Sequence, residues 1–173
     1  GQQIAIVGPT GAGKTTIINL LMRFYDLDSG YISIDGVRTD EMKRSDVRKL
    51  FGMVLQDTWL FSGTITENLK YGNQSATLDD IKKATKASDI HHVVESLSDN
   101  YSTVINEDSD NISAGEKQLL TIARVMVADP EVLIVDETTT ALAMKGRKIL
   151  YDLIELFREN NKAVIFISSI FIY

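Results

Sequence analysis

Gly8-Pro9-Thr10-Gly11-Ala12-Gly13-Lys14-Thr15 fits the pattern G-x-x-x-x-G-K-[ST], and it stands in the context that pattern needs. An apolar run, Ile4-Ala5-Ile6-Val7, precedes it as a buried strand, and a helical pattern from Thr15 to Phe24 follows. In such a strand–loop–helix the glycines let the backbone curl so that successive N–H groups face one anion, and the helix adds its positive N-terminal end. Lys14 reaches the outer phosphates of a nucleoside triphosphate, the Thr15 hydroxyl is placed for magnesium, and Thr16 shares the first helical turn with them. The expected phosphate-holding set is therefore Gly8, Pro9, Thr10, Gly11, Ala12, Gly13, Lys14, Thr15 and Thr16.

A chain of 173 residues suits one domain with a sizeable core. Its net charge of −6 argues against a nucleic-acid surface, which would need clustered Lys and Arg. The absence of cysteine excludes disulfides, thiolate metal sites and a cysteine nucleophile. His91 and His92 are adjacent, so they suit no i,i+4 metal pair and are expected on a solvated helix. No apolar stretch reaches the roughly 20 residues that span a bilayer. The chain opens and closes close to core strands with no leader in view, which suggests a piece of something larger.

Ile4–Val7, Val132–Val135 and Val164–Ile167 have the continuous apolar character of central parallel strands, and Gly52–Leu55 is expected beside them. Tyr31 to Asp35 alternates apolar and polar residues before an Asp35-Gly36 turn, the pattern of a half-exposed antiparallel strand. Thr77 with Asp80, and Ser113 with Glu116, resemble capping boxes that open helices. The first helix should run to Lys86, a second from Ser88 to Leu97, and the third carries the stripe Leu119, Leu120, Ile122, Ala123 and Val127. Ile149, Leu150, Leu153, Ile154 and Phe157 form one face of a last helix ending at Asn160-Asn161. The fold class is α/β: a P-loop NTPase core with a mostly parallel sheet, a small antiparallel β part and an inserted helical subdomain. Residues 1–57 and 128–173 form the core and 58–127 the insertion.

Val132-Leu133-Ile134-Val135-Asp136-Glu137 ends a buried strand in two acids, at the carboxyl edge where open α/β sheets bind ligands. There Asp136 would hold magnesium through its water shell, and Glu137 could orient and deprotonate an attacking water.

Together these residues resemble the ATPase domain of an ABC transporter over the whole chain. The resemblance implies ATP and magnesium as ligands and further site residues. Gln56 matches the Q-loop glutamine, which contacts magnesium and water and senses a transmembrane domain. Asn111 to Gln118, with Ser113 and Gly115 at its centre, resembles the signature usually written LSGGQ. Catalysis would then rest on Glu137, Gln56 and Lys14; metal binding on Thr15, Gln56 and Asp136. Ser113 and Gly115 would meet the ATP of a second ATPase domain in a head-to-tail, ATP-dependent dimer. Trp59-Leu60-Phe61-Ser62-Gly63-Thr64-Ile65-Thr66-Glu67-Asn68-Leu69 is similar to the exporter pattern L-F-x-G-T-I-x-E-N-I. Glu107 matches the exporters' X-loop glutamate. The implied activity is ATP hydrolysis powering export from the cytoplasmic face of the cell membrane, with a transmembrane domain as partner and no nucleic acid.

Some positions depart from that pattern. Ala143 stands at the D-loop aspartate and Ser169 at the switch histidine; Ala114 and Glu116 replace a glycine and a glutamine of the signature. The family's adenine-stacking aromatic and its closing strands lie outside this sequence. A serine cannot supply the imidazole donor at the same reach, a loss worth about 10²–10³ in rate. A domain that binds ATP and hydrolyses it poorly is therefore the alternative expectation.

Overall fold

The computed structural model describes residues 1–55, 59–106, 111–136 and 144–168, the side chain of Lys145 excepted. Its centre is a parallel sheet of four strands in the order β1 (Gln3–Val7), β8 (Ala163–Ser168), β7 (Val132–Asp136), β4 (Phe51–Val54). These are the four strands expected from the apolar runs. Alternation along each strand splits its side chains between two layers. Ile134 and Ile167 face α1 (Lys14–Leu21) through Ile18. Leu133, Val135 and Val164 face the opposite way, into a core shared with α7 (Met144–Glu159) through Leu150, Leu153, Ile154 and Phe157. The same apolar cluster continues through α6 (Ala114–Ala128) to Ile65, Leu69, Ile81, Ile90 and Val94. The long helix α6 thus leans on the sheet and on the shorter helices at once.

Those shorter helices are α3 (Ile65–Lys70), α4 (Leu78–Ala87) and α5 (His91–Ser96). Capping boxes at Thr64 with Glu67, Thr77 with Asp80 and Ser113 with Glu116 open α3, α4 and α6, each satisfying orphan N–H groups from both sides. A small antiparallel hairpin, β2 (Ser33–Ile34) with β3 (Val37–Arg38), turns through Asp35 and Gly36, both at positive φ (49° and 82°). That is the geometry of a type I′ turn and supports the Asp-Gly reading.

Three local expectations need correction. The first helix stops at Leu21 rather than Phe24, because Arg23 turns left-handed (φ 53°) and the Phe24 N–H closes onto the Asn19 carbonyl. Ser88 does not open α5. It ends α4, its hydroxyl donating to the Thr85 carbonyl, and Asp89 at φ 56° redirects the chain before His91. Beside its helices the middle of the chain also carries a short ladder, in which β5 (Gly63–Thr64) pairs antiparallel with β6 (Val104–Ile105). Finally, only His92 is solvated. His91 is half-buried, its Nδ1 2.6 Å from the Tyr101 hydroxyl, which itself lies 2.6 Å from the buried Thr85 hydroxyl. A remaining helix, α2 (Arg44–Lys49), sits ahead of β4 on one buried residue, Val47.

Candidate functional site

Residues 8 to 13 join the carboxyl end of β1 to α1. Gly11 and Gly13 sit at φ 83° and 86°, a region closed to most side chains, so glycine is required at both. Helix α1 enters from Gly13 with no side-chain cap, which leaves its first N–H groups for a ligand. The Lys14 ammonium arches back over the loop and donates to the carbonyls of Gly8 (2.6 Å) and Pro9 (3.1 Å). The Ala12 N–H closes the loop on the Pro9 carbonyl, and the Gly8 N–H ties it to Ser168 at the end of β8. Pro9 to Ala12, Thr15 and Thr16 are all exposed. The result is an open shelf of backbone donors and one ammonium, preformed and facing solvent.

Asp136 ends β7 at the same edge. The register sets Val7 against Ser168 and Ile167 against Asp136, so only β8 separates the loop's strand from the strand bearing the carboxylate. At about 4.8 Å per strand that spacing is about 10 Å. Among the described residues no three His, Cys, Asp or Glu gather into a metal cluster. Magnesium bound with a nucleotide needs one or two carboxylates and takes its other ligands from phosphate and water, so a single Asp136 with the Thr15 hydroxyl fits such a site. Gln56, Glu107, Glu137, Ala143 and Ser169 lie outside the described residues.

A second part of the predicted site stands on α6. Ser113 is its N-cap, and its hydroxyl accepts from the Glu116 N–H (3.4 Å) while the Glu116 carboxylate reaches back. Ser113, Ala114 and Gly115 are exposed, and a Cβ placed on Gly115 meets nothing within 4 Å. All three glycines have free space around them, but Gly115 has helical geometry where Gly11 and Gly13 are left-handed, so the fold of this chain does not require a glycine there. Among the described residues, the hydrogen bonds of Ser113 stay within its own helix start and none reaches the phosphate loop.

Sequence reasoning missed a groove of about 820 Å³ that excludes residues 8–16. Its lining includes Phe24, Arg48, Phe51, Met53 and Thr121, and a wall in which Arg124 lies over the rings of Trp59 and Tyr71. Phe24, Trp59 and Tyr71 are each 43% exposed or more, an unusual density of open aromatic surface. Trp59, Phe61 and Tyr71 pack ring to ring at 5.7–5.9 Å. Of these only the run from Trp59 to Phe61 drew attention in the sequence, and within it Leu60 points into the core.

Residues 1–140 match the family model described as ABC transporter. Over 142 residues the chain is 52% identical to the fatty acid ABC transporter ATP-binding/permease protein of Mycobacterium bovis, covering 82% of this chain and 22% of that protein. It is 42% identical over 165 residues to the beta-(1-->2)glucan export ATP-binding/permease protein NdvA of Bartonella bacilliformis, covering 95% of this chain and 28% of that one. A solved bacterial Atm1-family ABC exporter with ATP bound superposes with a TM-score of 0.81 at 37% identity, over 96% of this chain and 29% of the exporter chain. The chain spans about a quarter of the length of these relatives.

Proposed function

This chain belongs to the ABC transporter family as an ATP-binding domain of exporter type, and from that premise we propose that it binds magnesium–ATP and hydrolyses it slowly to drive export. The observation that carries the reading is the shelf at residues 8–16: left-handed glycines, an uncapped α1 and Lys14, on the sheet edge where Asp136 also ends. Backbone N–H groups from Gly11 to Thr16 receive the phosphates, Lys14 leaves the Gly8 and Pro9 carbonyls for the outer ones, and Thr15 and Asp136 hold the ion. Bound magnesium supplies neutralisation of charge on the outer phosphates. Glu137, one residue beyond Asp136, takes the proton of the attacking water, and Gln56 orients that water and reports to the partner.

Ser113 and Gly115 serve a second ATPase domain. A glycine that its own fold does not require suits a surface that something else approaches closely, and the N-terminus of a fifteen-residue helix is suited to an anion. Two domains related head to tail would each lend that end to the other's ATP. The aromatic groove is the dock for a transmembrane domain, which holds the chain at the cytoplasmic face of the cell membrane. Residues 1–57 with 128–173, and 58–127, are the two parts that flank it.

Phosphate release from magnesium–ATP tests this reading. The native chain should turn over slowly, Glu137→Gln should stop turnover while ATP still binds, and Ser169→His should raise the rate. Brisk hydrolysis that ignores Glu137→Gln would contradict the assignment of the base.

A further inference from the structure

Arg124 is a cation on the otherwise apolar inner side of α6, and its described contacts are with Trp59, Asn68 and Tyr71. Its guanidinium donates to the carbonyl of Trp59 (2.9 Å) and to the carbonyl and side-chain oxygen of Asn68 (2.8 and 2.9 Å). It also lies over the rings of Trp59 and Tyr71, 5.9 and 5.8 Å from their centroids. Asn68 is itself 1% exposed and bonded to both main-chain groups of Phe61 and to the Thr64 carbonyl. One side chain therefore clamps α6 to α3 and to the segment that carries Trp59. A fork of donors held by carbonyl oxygens and two ring faces has a fixed orientation that an aliphatic or ammonium group cannot reproduce.

The other end of α6 is Ser113, and an α-helix rising about 1.5 Å per residue puts Arg124 about 16 Å away along a stiff rod. Buried Leu119, Leu120, Ile122 and Ala123 brace the rod between the two points. We propose that Arg124 is the positioning residue that joins the Trp59–Tyr71 wall of the groove to the Ser113 end of α6, so that a chain meeting Ser113 through ATP moves that wall. The inference rests on the ATP-dependent dimer proposed above and deepens it by naming the side chain through which groove and dimer seam act on each other. Arg124 touches no substrate; it acts through α6.

Trp59 is the only tryptophan of the chain and lies against Arg124, so it reports directly. In a Glu137→Gln background, which prevents turnover, magnesium–ATP should change the acrylamide quenching of Trp59 as the dimer forms. Arg124→Met should cut that change at least about threefold, with ATP affinity by calorimetry and dimerisation by sedimentation preserved. Arg124→Lys should restore it only in part, because a point charge replaces the fork. Should Arg124→Met fail to fold by circular dichroism, the Lys variant decides. Ser113→Arg should abolish the response by preventing the dimer. An undiminished response in a folded, dimerising Arg124 variant overturns the proposal, as does a dimer that leaves Trp59 unchanged in the native sequence. A chain that neither binds ATP nor dimerises removes the underlying reading and the inference with it, and calorimetry and sedimentation identify that case separately.

Discussion

One carboxylate oxygen of Glu116 accepts both the main-chain N–H and the hydroxyl of Ser113, at 2.8 and 2.7 Å. The capping box that starts α6 therefore turns the donors of Ser113 toward its own helix and sets a negative charge beside them. An incoming phosphate would have to displace that carboxylate or accept its repulsion, worth about 1 kcal/mol at 4 Å in water.

Glu116→Gln keeps an oxygen for the box and removes the charge. It should tighten ATP-dependent dimerisation about fivefold, since about 1 kcal/mol corresponds to that ratio. Sedimentation across an ATP series measures it; an unchanged or weaker dimer would contradict the role given to Ser113.

Gly115→Ala separates folding from assembly. The added methyl enters open space on a helical backbone, so stability should rise by about 0.5–1 kcal/mol in urea unfolding. Dimerisation should weaken at the same time. A variant that is more stable and dimerises as before would leave Gly115 without a function.

Acid should loosen the short helices. The Thr64 N–H and then its hydroxyl hold Glu67 below its ordinary 4.5, and the Thr77 hydroxyl and then its N–H hold Asp80 below 3.8. Both carboxylates have lowered folded values, so their stabilisation is complete above those ordinary values and is lost as pH falls through the lowered ones. Asp26 and Asp40, lowered by Arg23 and Arg38, act in the same direction. The urea midpoint should fall from about pH 6 to about pH 3, and the combined Glu67→Gln and Asp80→Asn variant should fall less over that interval. An equal fall would show that these caps do not contribute.

The sheet was legible because each central strand is a short apolar run, and because Asp136 follows its run without a break. The phosphate loop and the helix starts at Thr77 and Ser113 were legible because turn and cap chemistry is local. Helix α2 was not: its one buried residue, Val47, gives no period to detect. The β5–β6 ladder joins two-residue strands from distant parts of the chain and has no alternation to show. His91 leaves solvent through its contact with Tyr101, which stands ten residues on. The groove is a tertiary product of Phe24, Phe51, Trp59 and Tyr71, and its one sequence trace is the apolar run from Trp59 to Phe61.

Calorimetric titration of the chain with magnesium–ATP, beside Lys14→Ala, tests the central claim most directly. The ammonium that now bridges the Gly8 and Pro9 carbonyls is the one charged group of the shelf, so its removal should abolish measurable binding while the native chain shows a saturable heat. Equal affinity in the two proteins would contradict the assignment of residues 8–16 as the nucleotide site.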